Sequence, residues 1–402
     1  MARAVRQAPR GVIYLDYQAT TPLAPEVAEA MRPWMEERFA NPHSPSRWGR
    51  EAAAAVEVAR ERVIAALETA GRAEHKIRSS RGRGYAPPPA GRLYFTSGAT
   101  EAANWALKGA AARLPANRRR IVTLATEHAS VLDTVAWLGG QGFDIDVLPV
   151  SPNGVVDLDL VADRIGPGTG LVAAMLVNNE IGVIQPIGQL AALARAAGAL
   201  FFCDAAQALG RVHIPLAACD MVAVSAHKVH GPKGVGALWV RDGTPLDPLL
   251  HGGGQEGGLR SGTLSPTLCV GFGEAARLLA QRAEEDSVHV ERLWALASEA
   301  LPGWTLNGSA EQRYHGNLNL RRDGVDAARL LSEVRDVAFS AGSACASGSG
   351  RPSHVLAALG LSQRDAGASI RLGFGRYTKE EELLWALAQI DAAASRQLSF
   401  AA

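Results

Sequence analysis

Lys228 follows a short apolar run, Met221–Val224, inside the segment Ser225-Ala226-His227-Lys228-Val229-His230-Gly231-Pro232-Lys233-Gly234. A lysine confined among small and aromatic groups loses its charge more readily than an exposed one and can form a Schiff base with an aldehyde cofactor. Asp204 ends a second apolar run, in Phe202-Cys203-Asp204-Ala205-Ala206-Gln207. A Schiff-base lysine, with a carboxylate placed to hold a protonated pyridine nitrogen, is the electronic requirement of pyridoxal 5'-phosphate (PLP). Such a cofactor also needs a phosphate cradle. Gly98-Ala99-Thr100 opens a helical stretch, so backbone N–H groups and a hydroxyl point at any anion there. Ser225 and His227 flank the lysine and can serve the same phosphate, and His128, after Thr126-Glu127, can stack on a planar ring. Taken singly, each of these has a plainer role as a surface lysine, a helix cap or a packed histidine.

A different chemistry is offered by Cys345, in Ser340-Ala341-Gly342-Ser343-Ala344-Cys345-Ala346-Ser347-Gly348-Ser349-Gly350. Residues this small and polar do not build a core, so the segment predicts an exposed thiol on a mobile loop. Free cysteines are normally buried, and an exposed one is a liability unless its reactivity is used. The segment alone fits a stray thiol in a Gly/Ser linker as well as a nucleophile. The chain has four cysteines, with no CxxC pair. That usage fits a reducing compartment and speaks against a structural metal site. Cys203, Cys219 and Cys269 stand among apolar neighbours and are expected in the core.

The elements that must position these groups follow an α/β rhythm from about Arg92 to Val240. Short apolar runs end at Thr96-Ser97-Gly98, Glu127-His128, Asn178-Asn179-Glu180, Asp204 and Ser225–Lys228, each followed by a helical or loop stretch. The expected fold is a three-layer α/β large domain with a mainly parallel sheet, plus a smaller α+β domain. Open sheets of this kind bind ligands outside the carboxyl ends of their strands, so the polar residues after those strands are expected in one crevice. After about Pro266 a long helical stretch, Cys269–Leu301, leads to strand-like Asn317–Leu320 and Ala338-Phe339, then to a closing helix from Lys379. The boundaries read are 17–283 for the large domain, and 1–16 with 284–402 for the small domain that carries the cysteine loop.

Two further segments stand out. The run from His251 to Thr263 is glycine-rich but matches neither a Walker loop nor a dinucleotide fingerprint, so it reads as a flexible turn. The stretch Gly71–Gly91, with Arg72, Lys76, Arg78, Arg81, Arg83 and Pro87-Pro88-Pro89, is basic and aperiodic and reads as an exposed insertion.

Composition narrows the function classes. A chain of 402 residues with 47% hydrophobic and 20% charged residues is that of an ordinary globular protein. A formal net charge of +1 offers no general case for nucleic acid as a partner. No apolar run approaches the length of a membrane span, and residues Met1–Arg10 lack the apolar stretch of a secretory signal. A cytoplasmic protein is the expectation.

Seven segments taken together carry a resemblance. They are Tyr14–Pro22, Phe95–Glu101, Thr126-Glu127-His128, Val177–Gly182, the Lys228 segment, Arg260-Ser261-Gly262-Thr263 and Gly342-Ser343-Ala344-Cys345. In this order they resemble a cysteine desulfurase of the NifS/IscS type, on the class V aminotransferase fold of fold type I PLP enzymes. The likeness runs from Tyr14 to about Arg376. It implies that Lys228 carries PLP and later shuttles protons, that Asp204 pairs with the pyridine nitrogen, and that Gln207 bonds the ring hydroxyl. It implies His128 as a catalytic residue that stacks on the ring and assists proton transfer, and Ala99, Thr100, Ser225 and His227 at the phosphate, with Thr263 arriving from the second subunit of a homodimer. Asn179 and Arg371 would bind the carboxylate of the substrate L-cysteine, Asn179 also lying against the cofactor. Cys345 would take the substrate sulfur as a persulfide and hand it to an acceptor protein, for iron–sulfur cluster assembly or thiolation.

Ala206, Ala226, His230 and Gly257 depart from the family pattern, which more often has threonine, glycine, tyrosine and arginine there. The chain also closes at Leu398–Ala402, without the longer extension that housekeeping members use toward their scaffold, so the acceptor is left open. The competing readings are a selenocysteine lyase, another class V enzyme such as an aminotransferase, and an inactive PLP-binding platform in sulfur trafficking. A plain aminotransferase has no use for Cys345.

Overall fold

The computed structural model describes residues 11–70, 90–341 and 353–401. Cys345 and all but the last two residues of the Gly71–Gly91 stretch lie outside them.

The short strand β1 (Ile13–Tyr14) precedes a sheet of seven strands: β2 (Gly91–Thr96), β3 (Arg120–Leu124), β4 (Asp144–Leu148), β5 (Thr169–Met175), β6 (Leu200–Asp204), β7 (Met221–Ser225) and β8 (Gly236–Arg241). Their order is β2-β8-β7-β6-β5-β3-β4. The pairs from β7 to β4 are parallel, and β8 alone runs against both its neighbours. All seven residues of β5 are buried, as expected of a central parallel strand covered on both faces.

The period-2 alternation of the strands divides the interior into two cores. Val172, Ala174, Phe201, Cys203, Val222 and Val224 face one core, with the helices Arg47–Ala70 and Ile187–Ala196. Leu171, Ala173, Phe202, Met221 and Ala223 face the other, with the helices Ala99–Ala111 and Ala129–Gly139. This is the three-layer α/β architecture expected from the sequence. Cys203, Cys219 and Cys269 are buried, as read. One glycine sets a close approach beneath the site. A Cβ on Gly236 would lie 2.6 Å from the Val224 carbonyl and 2.7 Å from Gly98, so only glycine lets β8 pass there.

The smaller α+β part holds β9 (Thr305–Leu306), β10 (Asn317–Arg321), β11 (Val337–Ala338), β12 (Ser340–Ala341) and β13 (Ser369–Gly373). Four of these form a sheet in the order β12-β13-β10-β9, while β11 pairs in parallel with β1. The helix Pro266–Ala300 starts under a Ser265 cap with proline in its first turn. Its Phe272 and Ala275 join the first core, and its Leu293 and Ala297 join a third core with Ile370, Leu372, Leu383 and Ile390. We propose the division between the two parts at 283/284, inside this continuous helix.

Candidate active site

Beyond the carboxyl ends of β2, β3, β5, β6 and β7 opens a cavity of about 550 Å³. Ser97–Thr100, His128, Asn179, Asp204, Gln207, Ser225, His227 and Lys228 all line it. Of the candidate residues, Arg371 and Thr263 do not, and Cys345 lies outside the described residues. Thr263 is exposed on the surface.

Lys228 donates from Nζ to the Gln18 carbonyl, and to the Ala19 carbonyl at 3.0 Å. Burial, then the cations Arg211 and Arg371, pull its pKa from 10.5 down to about 7, against the pull of Asp16 and Asp204. The amine is therefore nucleophilic near neutrality. Asp204 accepts from the Ala206 N–H at 2.9 Å. Burial raises its pKa, and that backbone bond, His128 and Lys228 oppose the rise. A buried carboxyl with so little compensation fits a protonated ring nitrogen brought in by a ligand.

Behind it, Glu127 is fully enclosed. Its Oε1 accepts from the Met175 N–H at 2.8 Å, while its Oε2 has no hydrogen-bond partner among the described residues. Burial pushes its pKa up, the Met175 N–H opposes the rise, and the neighbouring Asp204 adds to it.

His128 is the cap of the helix Ala129–Gly139. Its Nδ1 accepts from the Ser130 N–H at 3.1 Å, which leaves Nε2 to carry the proton of the neutral ring. His227 contacts the Thr20 hydroxyl through Nδ1 at 3.1 Å. Burial, with Lys228, Lys233 and Arg211 nearby, lowers its pKa to about 4, so it meets an anion as a neutral donor.

At the far wall the helix Ala99–Ala111 presents its first-turn N–H groups, which have no acceptor within the helix. Glu101 accepts from the Ser97 N–H at 2.9 Å and from Arg260 Nε at 2.7 Å. These bonds tie the run His251–Thr263 to the cavity rim. Glu256 ties it further, pairing with Arg60 at 2.7 Å and accepting from the Phe95 N–H at 2.7 Å. The run is thus pinned at two carboxylate–arginine pairs rather than being the flexible turn its composition suggests.

Asn178 folds its own loop, accepting from the Glu180 and Ile181 N–H groups at 2.8 and 2.9 Å, and so leaves Asn179 at the cavity. The Asn179 carbonyl accepts from Arg371 Nη1 at 3.0 Å. Arg371 Nη2 pairs with Asp16 at 2.7 Å and donates to the Ser340 hydroxyl at 3.0 Å. On the far side of residues 342–352, Ser353 donates to Glu180, and His354 Nε2 donates to the Glu127 carbonyl at 2.8 Å. Both flanks of residues 342–352 are therefore anchored next to the cavity lining: Arg371 bonds the Asn179 carbonyl, and Glu180 and Glu127 are the chain neighbours of Asn179 and His128.

A family model, the class-V aminotransferases, matches residues 13–384. The chain belongs to the class-V aminotransferase family. Within this family it is 42% identical over 384 residues to the cysteine desulfurase IscS of Rickettsia bellii (strain OSU 85-389), a match that covers 93% of this chain and 89% of the relative. A solved NifS-like protein superposes with a TM-score of 0.84 at 32% identity, over 97% of this chain and 100% of the other. Another solved neighbour, SspA in complex with cysteine, gives a TM-score of 0.76 at 32% identity, over 91% of this chain and all of that one. These likenesses place the chain with the NifS/IscS-type members.

Several residues at the cavity wall or bonded to it were given no role by the sequence reading. Thr20 and the carbonyls of Gln18 and Ala19 come from the N-terminal segment, more than two hundred residues from Lys228. Arg211 donates to the Gln207 side chain and to the Lys228 carbonyl. The position of Thr20 within Tyr14–Pro22 was the available signal; for Arg211 there was none. Among the described residues no cluster of His, Cys, Asp and Glu could hold a metal ion, and no helix is long and apolar enough to cross a membrane.

Proposed function

We propose that this protein is a PLP-dependent cysteine desulfurase, converting L-cysteine to L-alanine and storing the sulfur as a persulfide on Cys345. The reading is carried by one observation: an amine with a pKa of about 7, a buried carboxyl whose pKa burial raises, and a helix N-terminus share the walls of a single cavity. That donor set fits PLP. The first-turn N–H groups at Ala99 and Thr100, with Ser225 and His227, would hold the phosphate, and Asp204 the ring nitrogen. Lys228 would hold the aldehyde carbon, Gln207 the ring hydroxyl and His128 the ring face. When bound, PLP supplies the electron sink that lets bonds at Cα and Cβ of cysteine be broken.

The protein's own residues supply the rest. Asn179 and the Arg371 fork suit a substrate carboxylate, which a guanidinium grips bidentately. The Lys228 amine, near neutrality, can take a proton from Cα and return it. Cys345, as thiolate, attacks the substrate sulfur. An S–S bond forms, the C–S bond breaks with its electron pair left on the carbon side, and protonation there gives alanine. Cys345 is four residues beyond Ala341, a tether of at most ~14 Å from a strand that touches Arg371. The acceptor would be a protein thiol or a cluster-assembly partner. Because Thr263 is exposed on the same chain's surface, a homodimer is the assembly that can bring it to a phosphate. We place this chemistry in the cytoplasm.

The test is incubation with L-cysteine and a thiol reductant, followed by assay of alanine and sulfide and mass spectrometry of the peptide containing Cys345. Wild type is expected to yield both products and a persulfide on Cys345. Cys345→Ala is expected to keep the cofactor colour and lose turnover. Undiminished turnover in that variant would exclude the mechanism.

A further inference from the structure

Arg211 is partly buried and close to the cavity, yet among the described residues it is paired with no carboxylate. Its Nη1 donates to Gln207 Oε1, its Nη2 donates to the Lys228 carbonyl at 2.8 Å, and its guanidinium lies 5.3 Å from the centre of the Tyr314 ring. Leaving water without a counter-ion is costly, and burial accordingly lowers its pKa. Its side-chain donors go to the two residues assigned to the cofactor.

The consequence for Gln207 is a matter of donor chemistry. A guanidinium only donates, so it can be satisfied by the amide oxygen and never by the amide nitrogen. With Oε1 turned to Arg211, Gln207 Nε2 faces the other way and donates to the Gln18 carbonyl at 2.9 Å. Its second N–H is thereby kept for the cavity. Lys228 shares that same Gln18 carbonyl. Around the Lys228 amine stand Arg211 and Arg371 as cations and Asp16 and Asp204 as acids, while His128, His227 and Lys233 share the cavity.

We propose that Arg211 is a positioning residue of the cofactor site, which locks the Gln207 amide with its nitrogen toward the cavity, holds the Lys228 main chain and sets a fixed positive charge beside its amine. The inference rests on the assignment of Lys228 and Gln207 to PLP.

The experiment compares wild type, Arg211→Met and Arg211→Lys as holoenzymes, with a thermal melt of each to confirm folding. Two quantities are read: the pH midpoint of the visible band of bound PLP, and the PLP affinity of the stripped chain by equilibrium dialysis. Removing a neighbouring cation favours the protonated state, so Arg211→Met should move the midpoint up by about one pH unit. Losing the amide lock should weaken PLP binding by roughly five- to tenfold. Arg211→Lys, which keeps the charge without the planar fork, should hold the midpoint and lose part of the affinity. A folded Arg211→Met with both quantities unchanged would overturn the proposal. If that variant does not fold, Arg211→Gln carries the same comparison. A wild type that binds no PLP would instead refute the cofactor assignment itself.

Discussion

Arg371 Nη2 and Asp16 Oδ1 stand 2.7 Å apart, joining the final strand of the smaller sheet to the N-terminal segment. Asp16 Oδ2 accepts from the Ser340 hydroxyl at 3.0 Å, and Ser340 is the register partner of Arg371. The guanidinium assigned to the substrate carboxylate is thus already held by a carboxylate of its own chain. Asp16→Asn should release the fork, raising the KM for cysteine several-fold with a smaller change in kcat. It should also cost roughly 2–3 kcal/mol in stability, less than an isolated buried charge because asparagine keeps an oxygen acceptor. Steady-state kinetics with urea unfolding checks both. A lowered KM would mean that Asp16 competes with substrate instead of positioning Arg371.

The amine of Lys228 titrates near pH 7, so PLP uptake by the stripped chain should accelerate through a midpoint near that value. Lys228→Ala should retain no colour after gel filtration. The effect on stability has a definite sign. An unfolded lysine protonates up to its ordinary 10.5, whereas the native one has lost its proton above about 7. The unfolded state therefore binds more protons across this window, and the PLP-free chain should gain stability as pH rises through it.

His227 and His230 act at the acid end, with pKa values lowered by burial to about 4 and about 3. Below the ordinary histidine value near 6.5, the unfolded chain gains protons that the native chain refuses. Urea midpoints should therefore fall as pH drops from 6.5 toward 4. His230 packs edge-on against Tyr377 at φ +65°. His230→Asn tolerates that backbone and removes the titration. It should be less stable at pH 7 for want of the ring, with a shallower acid slope.

Asp204→Asn removes the charge that would face a protonated ring nitrogen while keeping the shape. Alanine formation should fall by roughly a hundredfold or more, because a preorganised charge in a dry site is being lost. Cofactor binding should weaken less than turnover, since the phosphate contacts remain. Equal losses in both would make Asp204 an anchor only.

Much of the fold was legible because parallel strands buried on both faces are continuous apolar runs, and their ends carry the polar residues. The runs ending at His128, Asn179, Asp204 and Lys228 do deliver these side chains to one cavity. Strands β4 and β8 went unread. β4 is an edge strand with charged residues, and β8 follows Lys228 after a glycine turn that masks its start. The glycine-rich run looked loose because its anchors, Arg60 and Glu101, are far away in sequence.

The sequence by itself determined which chemistry is available: one lysine, one aspartate and one histidine at strand ends, and a thiol among residues too small to bury it. Residue type and local spacing carry that information. Only the tertiary structure decided how those groups are charged and aimed. Burial lowers the Lys228 pKa, enclosure raises that of Glu127, and Arg211 turns the Gln207 amide. Each of these depends on low dielectric or on a partner brought in by packing, and none is written in neighbouring residues. Cys345 draws its meaning from both. Its small neighbours mark it in the sequence, and the pairing of residue 341 with the strand of Arg371 and of Ser353 with Glu180, the chain neighbour of Asn179, fixes where its segment leaves and rejoins the fold.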